Sequence, residues 1–424
     1  MAGPQGKQVI VIGGGVVGVT TLYELAVDGV PAVLLEAEPN LAAGASHANG
    51  GALTPGLADP WNSPGVHKHL FESLFDPRSA MKLRLHAIPG LTKWGLEFLR
   101  NSTPGRHAHA MKQGFQLASY SLRRTHELAS TLGIEYEGKA SGFLKVFASQ
   151  EERGQSLAFC HILEEHGLRW HSMSTEEVIA LEPSLAHAAD KIACGIFYPD
   201  EALGDAHLFT TELAERAVSL GAQVRKSTRV DEIVVRKGRV EGVIAAGEFV
   251  EGDVVLAAGV ESPLLSHSVG LSLPVKPAKG YSLTLDAASF ASELPQCPVV
   301  DQHMHAAVTP LGTRLRLAGT AEFTGFDVRI RRERIDNLFM LFERLFPHLA
   351  PRVDRSAEIP WTGFRPMSAD GMPFIGPANV DGLWVNTGHG HMGWSMAPGS
   401  ARVLCDLMQG RRPQVDAAPF AATR

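Results

Sequence analysis

The chain has 424 residues, of which 45% are hydrophobic and 20% charged, with a formal net charge of −6. That length holds two domains and a substantial core, the composition is that of an ordinary soluble globular protein, and the mild acidity offers nucleic acid nothing to bind. Cys160, Cys194, Cys297 and Cys405 are scattered with no CxxC, so we expect reduced, buried thiols in a cytosolic setting, with neither a disulfide framework nor a zinc site. The apolar run at 9–19 is short and broken by glycine, so no signal peptide is read there. No stretch reaches the roughly 20 apolar residues of a membrane span.

Val9-Ile10-Val11-Ile12 is a β-branched run suited to a buried parallel strand. Gly13, Gly15 and Gly18 then follow in GxGxxG spacing. In such a turn the first glycine permits the tight bend, the second lets a diphosphate approach the backbone, and the third lets the next helix pack on the strand. That helix carries Val19, Leu22, Tyr23, Leu25 and Ala26, and its N-terminus offers free N–H groups to an anion. A second strand, Ala32 to Leu35, ends at Glu36, about 20 residues past the glycines, where a carboxylate meets a ribose hydroxyl; Glu38 is the alternative acid. The unit binds a dinucleotide, and by itself does not choose between FAD and NAD.

Residues 37–65 are rich in Ala, Gly, Ser, Asn and Pro. Their core, Gly44 to Leu53, suits a backbone laid against a flat ligand, with a plain surface loop as the alternative. Residues 66–136 are expected to be helical, in segments Met81–His86, Leu91–Leu99 and Phe115–Leu132 separated by Pro89-Gly90 and Pro104-Gly105. His67, Lys68, His69, Lys82, Arg84 and Lys93 interleave with Phe71, Leu74, Phe75, Leu85 and Trp94. That mixture suits the solvated face of a packed helix, which we favour, or an anionic bilayer surface. A strand at 142–147, a helix at 151–167, a helix start at Ser174-Thr175-Glu176-Glu177 closed by Leu181-Glu182-Pro183, and a strand at 195–198 follow. Residues 204–260 return to nucleotide-domain character: a helix at 207–219, Gln223-Val224, a meander through Val230 with a turn at Lys237-Gly238, and a buried strand, Gly252 to Gly259, ending in small residues that can pass close to a cofactor. Residues 272–350 offer strands at 281–285, 304–309 and 314–318, with a hairpin turn at Gly312-Thr313, and an arginine-rich helix at 330–345. The glycine-rich loop Thr387 to Trp394 precedes a final helix, and the tail, 411–424, is expected to be loose.

These segments in this order resemble the D-amino-acid oxidase superfamily of flavoproteins, and within it the small subunits of the bacterial D-amino-acid dehydrogenases. The resemblance rests on VIVIGGGVVG at the N-terminus, SHANGGALTPG at 46–56, LGDAHLFT at 203–210, PAKGYSLT at 277–284, RLRLAGTAEF at 314–323, WTGFRPMSADGMPFIG at 361–376 and NTGHGHMGWSMAPGS at 386–400. It implies noncovalent FAD and an α/β fold: a Rossmann-like FAD-binding domain (1–65, 204–270 and 355–412), a discontinuous sheet-based α+β substrate domain (66–203 and 271–354), and a flexible tail (413–424). It also implies that Gly13, Gly15, Val16, Val17 and Gly18 cradle the diphosphate, that Glu36 with Ala37 meets the adenosine ribose, and that Val230, Ala258 and Gly259 lie near the adenine. Ser46, Asn49, Gly50, Gly51 and Ala52 would run beside the flavin. Gly363, Arg365, Gly388, Gly390, His391, Met392 and Gly393 would meet its far edge. The chain departs from the dehydrogenase pattern at His47, where Phe is common, at His391-Met392, which replaces Thr-Leu, and at Pro398, which replaces Cys; the two histidines leave the substrate range open.

The implied reaction moves a hydride from a substrate Cα to flavin N5, after which the imine hydrolyses to a 2-oxo acid and ammonium. The cofactor carries the electronics, so the protein needs a cation for the substrate carboxylate and positive charge for the reduced flavin. Arg314 and Arg316 point to one strand face, and a planar guanidinium holds a carboxylate by two parallel hydrogen bonds. We favour Arg316 for that role, with solvent-facing arginines as the alternative, and place Arg365 near the flavin. Tyr281 is a candidate donor to the carboxylate, Lys279 a candidate near flavin N5, and His47, His389 and His391 candidate pocket residues. The helix N-terminus after Trp394 supplies partial positive charge. His-x-His pairs at 67/69, 107/109 and 303/305 recur without a third ligand, so no metal is expected. Electrons would pass to a quinone or another acceptor, oxygen being the alternative. A secondary amino acid of the D-proline, hydroxyproline, sarcosine or glycine type is the alternative substrate. The chain would work in the cytoplasm, with peripheral attachment to the inner membrane and homo-oligomer formation left open. An NAD-linked dehydrogenase or a flavin-bearing subunit of a larger complex are the rival classes.

Overall fold

The computed structural model describes residues 7–68 and 81–424. The N-terminal unit is β1 (Val9–Ile12), α1 (Val16–Val27) and β2 (Ala32–Leu35), with both strands buried along their whole length. The chain then leaves through α2 (Ile88–Arg100) and the long α3 (Pro104–Leu132), which ends on Gly133 in the left-handed conformation (φ +63°). Next come β3 (Phe143–Phe147), α4 (Gln150–Glu164) and β4 (Cys194–Tyr198). The chain returns through α5 (Ala206–Ser219), β5 (Gln223–Arg225) and β6 (Asp253–Leu256). A second excursion holds β7 (Val275–Asp286), β8 (Val299–Asp301), β9 (Ala306–Leu311), β10 (Arg314–Phe323), α6 (Arg332–Leu345) and β11 (Ile359–Ser368). The chain closes with β12 (Phe374–Pro377), β13 (Leu383–Thr387) and α7 (Gly393–Met408).

Two sheets organise these elements. The first runs β12-β13-β6-β1-β2-β5 and is parallel except at β12. Its strands read as unbroken apolar runs because both faces are covered, one by helices and the other by a three-stranded meander that brings Val230, Ile233, Val240 and Val243 against Ile10, Ile12 and Val254. The second, of nine strands, runs β11-β7-β10-β9-β8-β3-β4 and on to His171–Met173, with Met81–Leu83 joining β10. It is antiparallel except where β8 meets β3 and Met81–Leu83 meets β10. Helix α6 packs Ile335, Leu338 and Phe342 against Tyr281, Leu283 and Leu317 on one face of this sheet. The α/β class and the parallel nucleotide-type sheet agree with the sequence reading.

Several local expectations need correction. Met81–Leu83 is a strand rather than the start of a helix, because its backbone finds Ala321–Phe323 to pair with. Pro89-Gly90 lies inside the first turn of α2 rather than before it, while Pro104 opens α3 after the break at 101–103; both prolines sit in first helical turns, where a missing N–H costs nothing. Ile359–Ser368, past the boundary expected at 355, pairs with β7 over ten residues as the edge of the second sheet. The tail is packed rather than loose: Phe420 is fully buried, Val415 and Ala422 are buried, and the Arg424 guanidinium pairs with Asp370 at 2.7 Å and stacks on Phe374. Of the mixed basic and aromatic stretch, His69, Phe71, Leu74 and Phe75 lie outside the described residues.

Candidate active site

The β1–α1 turn is built by steric necessity. Gly13 has φ +109°, and a Cβ there would stand 2.7 Å from the Ala257 carbonyl oxygen. A Cβ on Gly18 would fall 1.8 Å from the Gly13 carbonyl oxygen. Gly15 differs: its Cβ would meet only Ser46 Oγ, at 3.4 Å, so its other side stays open. Glu36 is pinned at the end of β2, accepting from the Gly14 N–H at 2.5 Å and the Glu38 N–H at 2.7 Å. Helix α1 has no capping side chain of its own; Ser46 Oγ accepts from the Val16 N–H at 3.0 Å instead.

From this turn one continuous cavity of about 1390 Å³ extends between the two sheets, beyond the range of about 300–1,000 Å³ usual for ligand pockets. One end is lined by Gly13, Gly15, Val16, Val17, Glu36, Ala37, Val230, Ala258 and Gly259. Ser46 and Asn49 to Ala52 line its middle, where the Gly50 carbonyl is held by Thr309 Oγ1 at 2.7 Å and Asn49 Oδ1 accepts from the Gly51 N–H at 3.0 Å. Gly363, Arg365, Gly390, His391, Met392 and Gly393 line it farther along, at the start of α7. Gly18 and Gly388 do not line it. Gly18 serves the helix–strand contact, and Gly388 (φ +79°) makes the turn out of β13 against Phe374.

Among the substrate candidates, Arg365 projects from β11 into the cavity. Its Nη1 donates to the Thr320 carbonyl at 3.0 Å, and the guanidinium lies 5.6 Å from the Trp61 ring centroid. Neither partner is a carboxylate. Burial pushes its pKa down to about 10, which leaves it cationic at neutral pH. Thr320 is a β-branched residue at φ +55° whose buried hydroxyl has no partner; that backbone strain turns its carbonyl toward Arg365. His391 stacks on Trp61 at 5.5 Å, and its Nε2 donates to the Leu57 carbonyl at 3.1 Å. Burial lowers its pKa, and a neutral imidazole has one donor, so that donor is spent on Leu57 rather than offered to the flavin. His389 also lines the cavity, neutral with a pKa pushed by burial to about 3, and is bonded to Ser400 at 3.1 Å.

Three sequence candidates, Arg316, Lys279 and His47, do not line the cavity, and a fourth, Tyr281, lines it with its hydroxyl turned away. Arg316 is buried outside the cavity lining, its Nη1 on the Asn49 carbonyl at 3.0 Å and its Nη2 3.9 Å from Asp205. It braces the 49–51 loop through that bond. Tyr281 contributes to the lining, but its hydroxyl donates to Glu322 at 2.8 Å, on the face covered by α6, where its ring packs in the core. Lys279 lies on that same face, its ammonium on the Arg329 carbonyl and 5.1 Å from the Tyr281 ring. The alternation along β7 decides both cases: Ser282 bonds the Ala48 carbonyl toward the cavity side, while 279 and 281 turn away. His47 is exposed at the rim, edge-on to His207 at 5.0 Å. Sequence reasoning missed Trp61, Lys145 and Thr320 as lining residues. It also missed Glu201, a buried carboxylate on the Gly56 N–H whose pKa burial raises to about 8. Only Lys145 left a trace, as a lone charge in the apolar run Phe143–Phe147.

The chain matches the family described as FAD dependent oxidoreductase, DAO, over residues 8–407. The chain belongs to the DAO family of FAD-dependent oxidoreductases. Two similar relatives are D-amino acid dehydrogenases, one from Bradyrhizobium diazoefficiens (36% identical over 421 residues, covering 98% of each chain) and one from Cereibacter sphaeroides (37% over 418 residues, covering 98% of this chain and 95% of that one). Among solved structures, glycine oxidase from Geobacillus kaustophilus superposes with a TM-score of 0.76 at 24% identity over 99% of each chain. L-Proline dehydrogenase from P. horikoshii gives 0.77 at 18% identity over 99% of this chain and 98% of that one. These structures share the fold. FAD is the cofactor of this DAO-family enzyme, and the open side of Gly15, the exposed start of α1 and the length of the cavity fit a dinucleotide joined to a flat ring.

Proposed function

We propose that this DAO-family enzyme oxidises D-amino acids at the Cα–N bond, releasing a 2-oxo acid and ammonium. Relatives at 36–37% identity over nearly the whole chain carry the name D-amino acid dehydrogenase. The observation that carries the reading is Arg365, a guanidinium in the cavity wall with no carboxylate partner among the described residues. Such a group takes the substrate carboxylate by paired N–H donors. The Thr320 carbonyl and the Trp61 ring hold it in place.

The chemistry FAD supplies when bound is acceptance of the hydride that leaves Cα, with two electrons passed onward to a quinone or another acceptor. As the Cα–H bond breaks, the amine lone pair forms the C=N bond; water then adds to the imine and ammonium leaves. Gly13, Gly15, Val16 and Val17 would hold the diphosphate, Glu36 and Ala37 the ribose, Val230, Ala258 and Gly259 the adenine. Ser46, Asn49 to Ala52, Gly363, Gly390, Met392 and Gly393 would flank the ring system. The first sheet with α1, α5 and α7 is the FAD-binding part, and the second sheet with α6 the substrate part. Leu96 and Leu99 are exposed on α2 with Lys93 and Arg100, and Leu85 is exposed in the turn before it, a surface suited to peripheral contact with an anionic membrane holding the quinone.

The test is anaerobic loss of flavin absorbance in the purified holoenzyme. D-Amino acids should bleach it and their L-enantiomers should not. Bleaching confined to L-enantiomers, or to secondary amines, would overturn the assignment.

A further inference from the structure

The cavity floor beside Arg365 is made of glycine. Trp361, Gly363 and Arg365 alternate onto one face of β11, and all three line the cavity. Gly363 stands directly opposite Gly280 on β7, and a cross-strand pair keeps its Cα atoms roughly 5 Å apart. A Cβ on Gly363 would stand 2.5 Å from Trp361 Cζ2, so the indole lies over Gly363. A Cβ on Gly280 would stand 2.6 Å from Arg365 Cζ, so the guanidinium lies over Gly280. The two side chains start four residues apart and lean toward each other across the paired glycines. Indole edge and guanidinium therefore stand side by side on the sheet, about one cross-strand spacing apart.

On the other side of the indole lies the 46–52 loop. Trp361 is opposite Ser282, whose hydroxyl donates to the Ala48 carbonyl at 2.6 Å. Gly50 comes down over the neighbouring strand, where a Cβ on it would meet Ala318 Cβ at 3.6 Å. His47 from the same loop meets the Trp361 ring at 6.2 Å between centroids. The indole thus fills the strip of floor between the loop proposed to flank the flavin and the guanidinium proposed to hold the carboxylate. Trp61, the other indole beside Arg365, is already stacked on His391 at 5.5 Å. A molecule with its carboxylate on Arg365 and its Cα at a ring beside Asn49 to Ala52 lies along this strip, against Trp361.

We propose that Trp361 is the wall on which the substrate side chain packs, so that the enzyme prefers D-amino acids with an aromatic or bulky apolar side chain. This rests on the D-amino-acid reading above, with Arg365 taking the carboxylate. An aromatic ring placed edge-on or offset against an indole gains more than its buried area alone, whereas a methyl group covers little of it.

The experiment compares D-phenylalanine and D-leucine with D-alanine as anaerobic reductants of the holoenzyme, in the unmodified protein and in Trp361→Ala and Trp361→Phe. D-Phenylalanine should lead D-alanine by at least about tenfold in kcat/KM, with D-leucine between them. Trp361→Ala should cut that lead to about threefold or less, chiefly through a higher KM for D-phenylalanine, and Trp361→Phe should keep most of it. Equal values for D-phenylalanine and D-alanine in the unmodified enzyme would overturn the proposal. So would an unchanged ratio in Trp361→Ala, including an equal loss for both substrates, which would give the indole a role in the fold or beside the flavin instead. If Trp361→Ala does not fold, the unmodified enzyme's ratio decides alone. Bleaching by D-alanine but not by D-phenylalanine defeats this inference and spares the function proposed above; no bleaching by any amino acid defeats both.

Discussion

Arg365 and Arg316 differ in what they already hold. Arg316 is engaged by the Asn49 carbonyl and Asp205, whereas Arg365 has a carbonyl, an indole and open cavity. Arg365→Gln should therefore raise KM for a D-amino acid by about 10- to 100-fold, the scale of a hydrogen bond to a charged group. Arg316→Gln should leave KM within about threefold and lower thermal stability, because it strips support from the 49–51 loop. Steady-state kinetics and a melting scan on the two variants separate these roles, and the reverse pattern would exchange them. Glu201 gives a pH signature. Burial raises its folded pKa to about 8 from the ordinary 4.5, so the folded state binds more protons between those values. Its contribution is intact below about pH 4.5 and is lost as pH rises to 8, at up to about 1.4 kcal/mol per unit. Glu201→Gln should flatten the decline in stability from pH 5 to 8, measured by denaturant unfolding; an unchanged slope would mean that the carboxylate is ionised when folded.

At the scale of elements, the β1–α1 unit is where sequence and structure agree most closely, because its constraints are local. The Gly18 hydrogen faces the Gly13 carbonyl so closely that Gly18→Ala must push α1 off β1. That variant should purify colourless or unstable, read by flavin absorbance; a yellow protein of normal melting temperature would show that the contact yields. Ser174 and Glu177 form a reciprocal capping box on Thr175–Leu181, and Ser174→Ala should cost about 1 kcal/mol. Elements were misread where a partner strand or a first-turn proline decided the outcome. Met81–Leu83 has apolar residues compatible with a helix and becomes a strand because β10 offers it an edge.

At the scale of the whole molecule, the two larger sheets hold the cavity between them, and a C-terminal segment that the sequence reads as loose packs onto the fold. Phe420 is fully buried and Arg424 locks onto Asp370 and Phe374. Phe420→Ala should cost about 3–5 kcal/mol in unfolding free energy, whereas a loose tail would tolerate it. The sequence by itself determined the nucleotide-binding unit, because GxGxxG, the apolar strand before it and Glu36 answer to covalent geometry and short-range contacts, and the order of its motifs along the whole chain supplied the family and FAD. Which arginine lines the cavity was decided only by the tertiary structure. Arg365 and Arg316 lie on different strands of one sheet, and their roles depend on whether Asn49 and Asp205 or open cavity lies opposite. Tyr281 and Lys279 turn their polar groups away from the cavity for the same reason. Alternation along a strand groups residues by face, but only the packing of α6 against one of those faces says which face is buried.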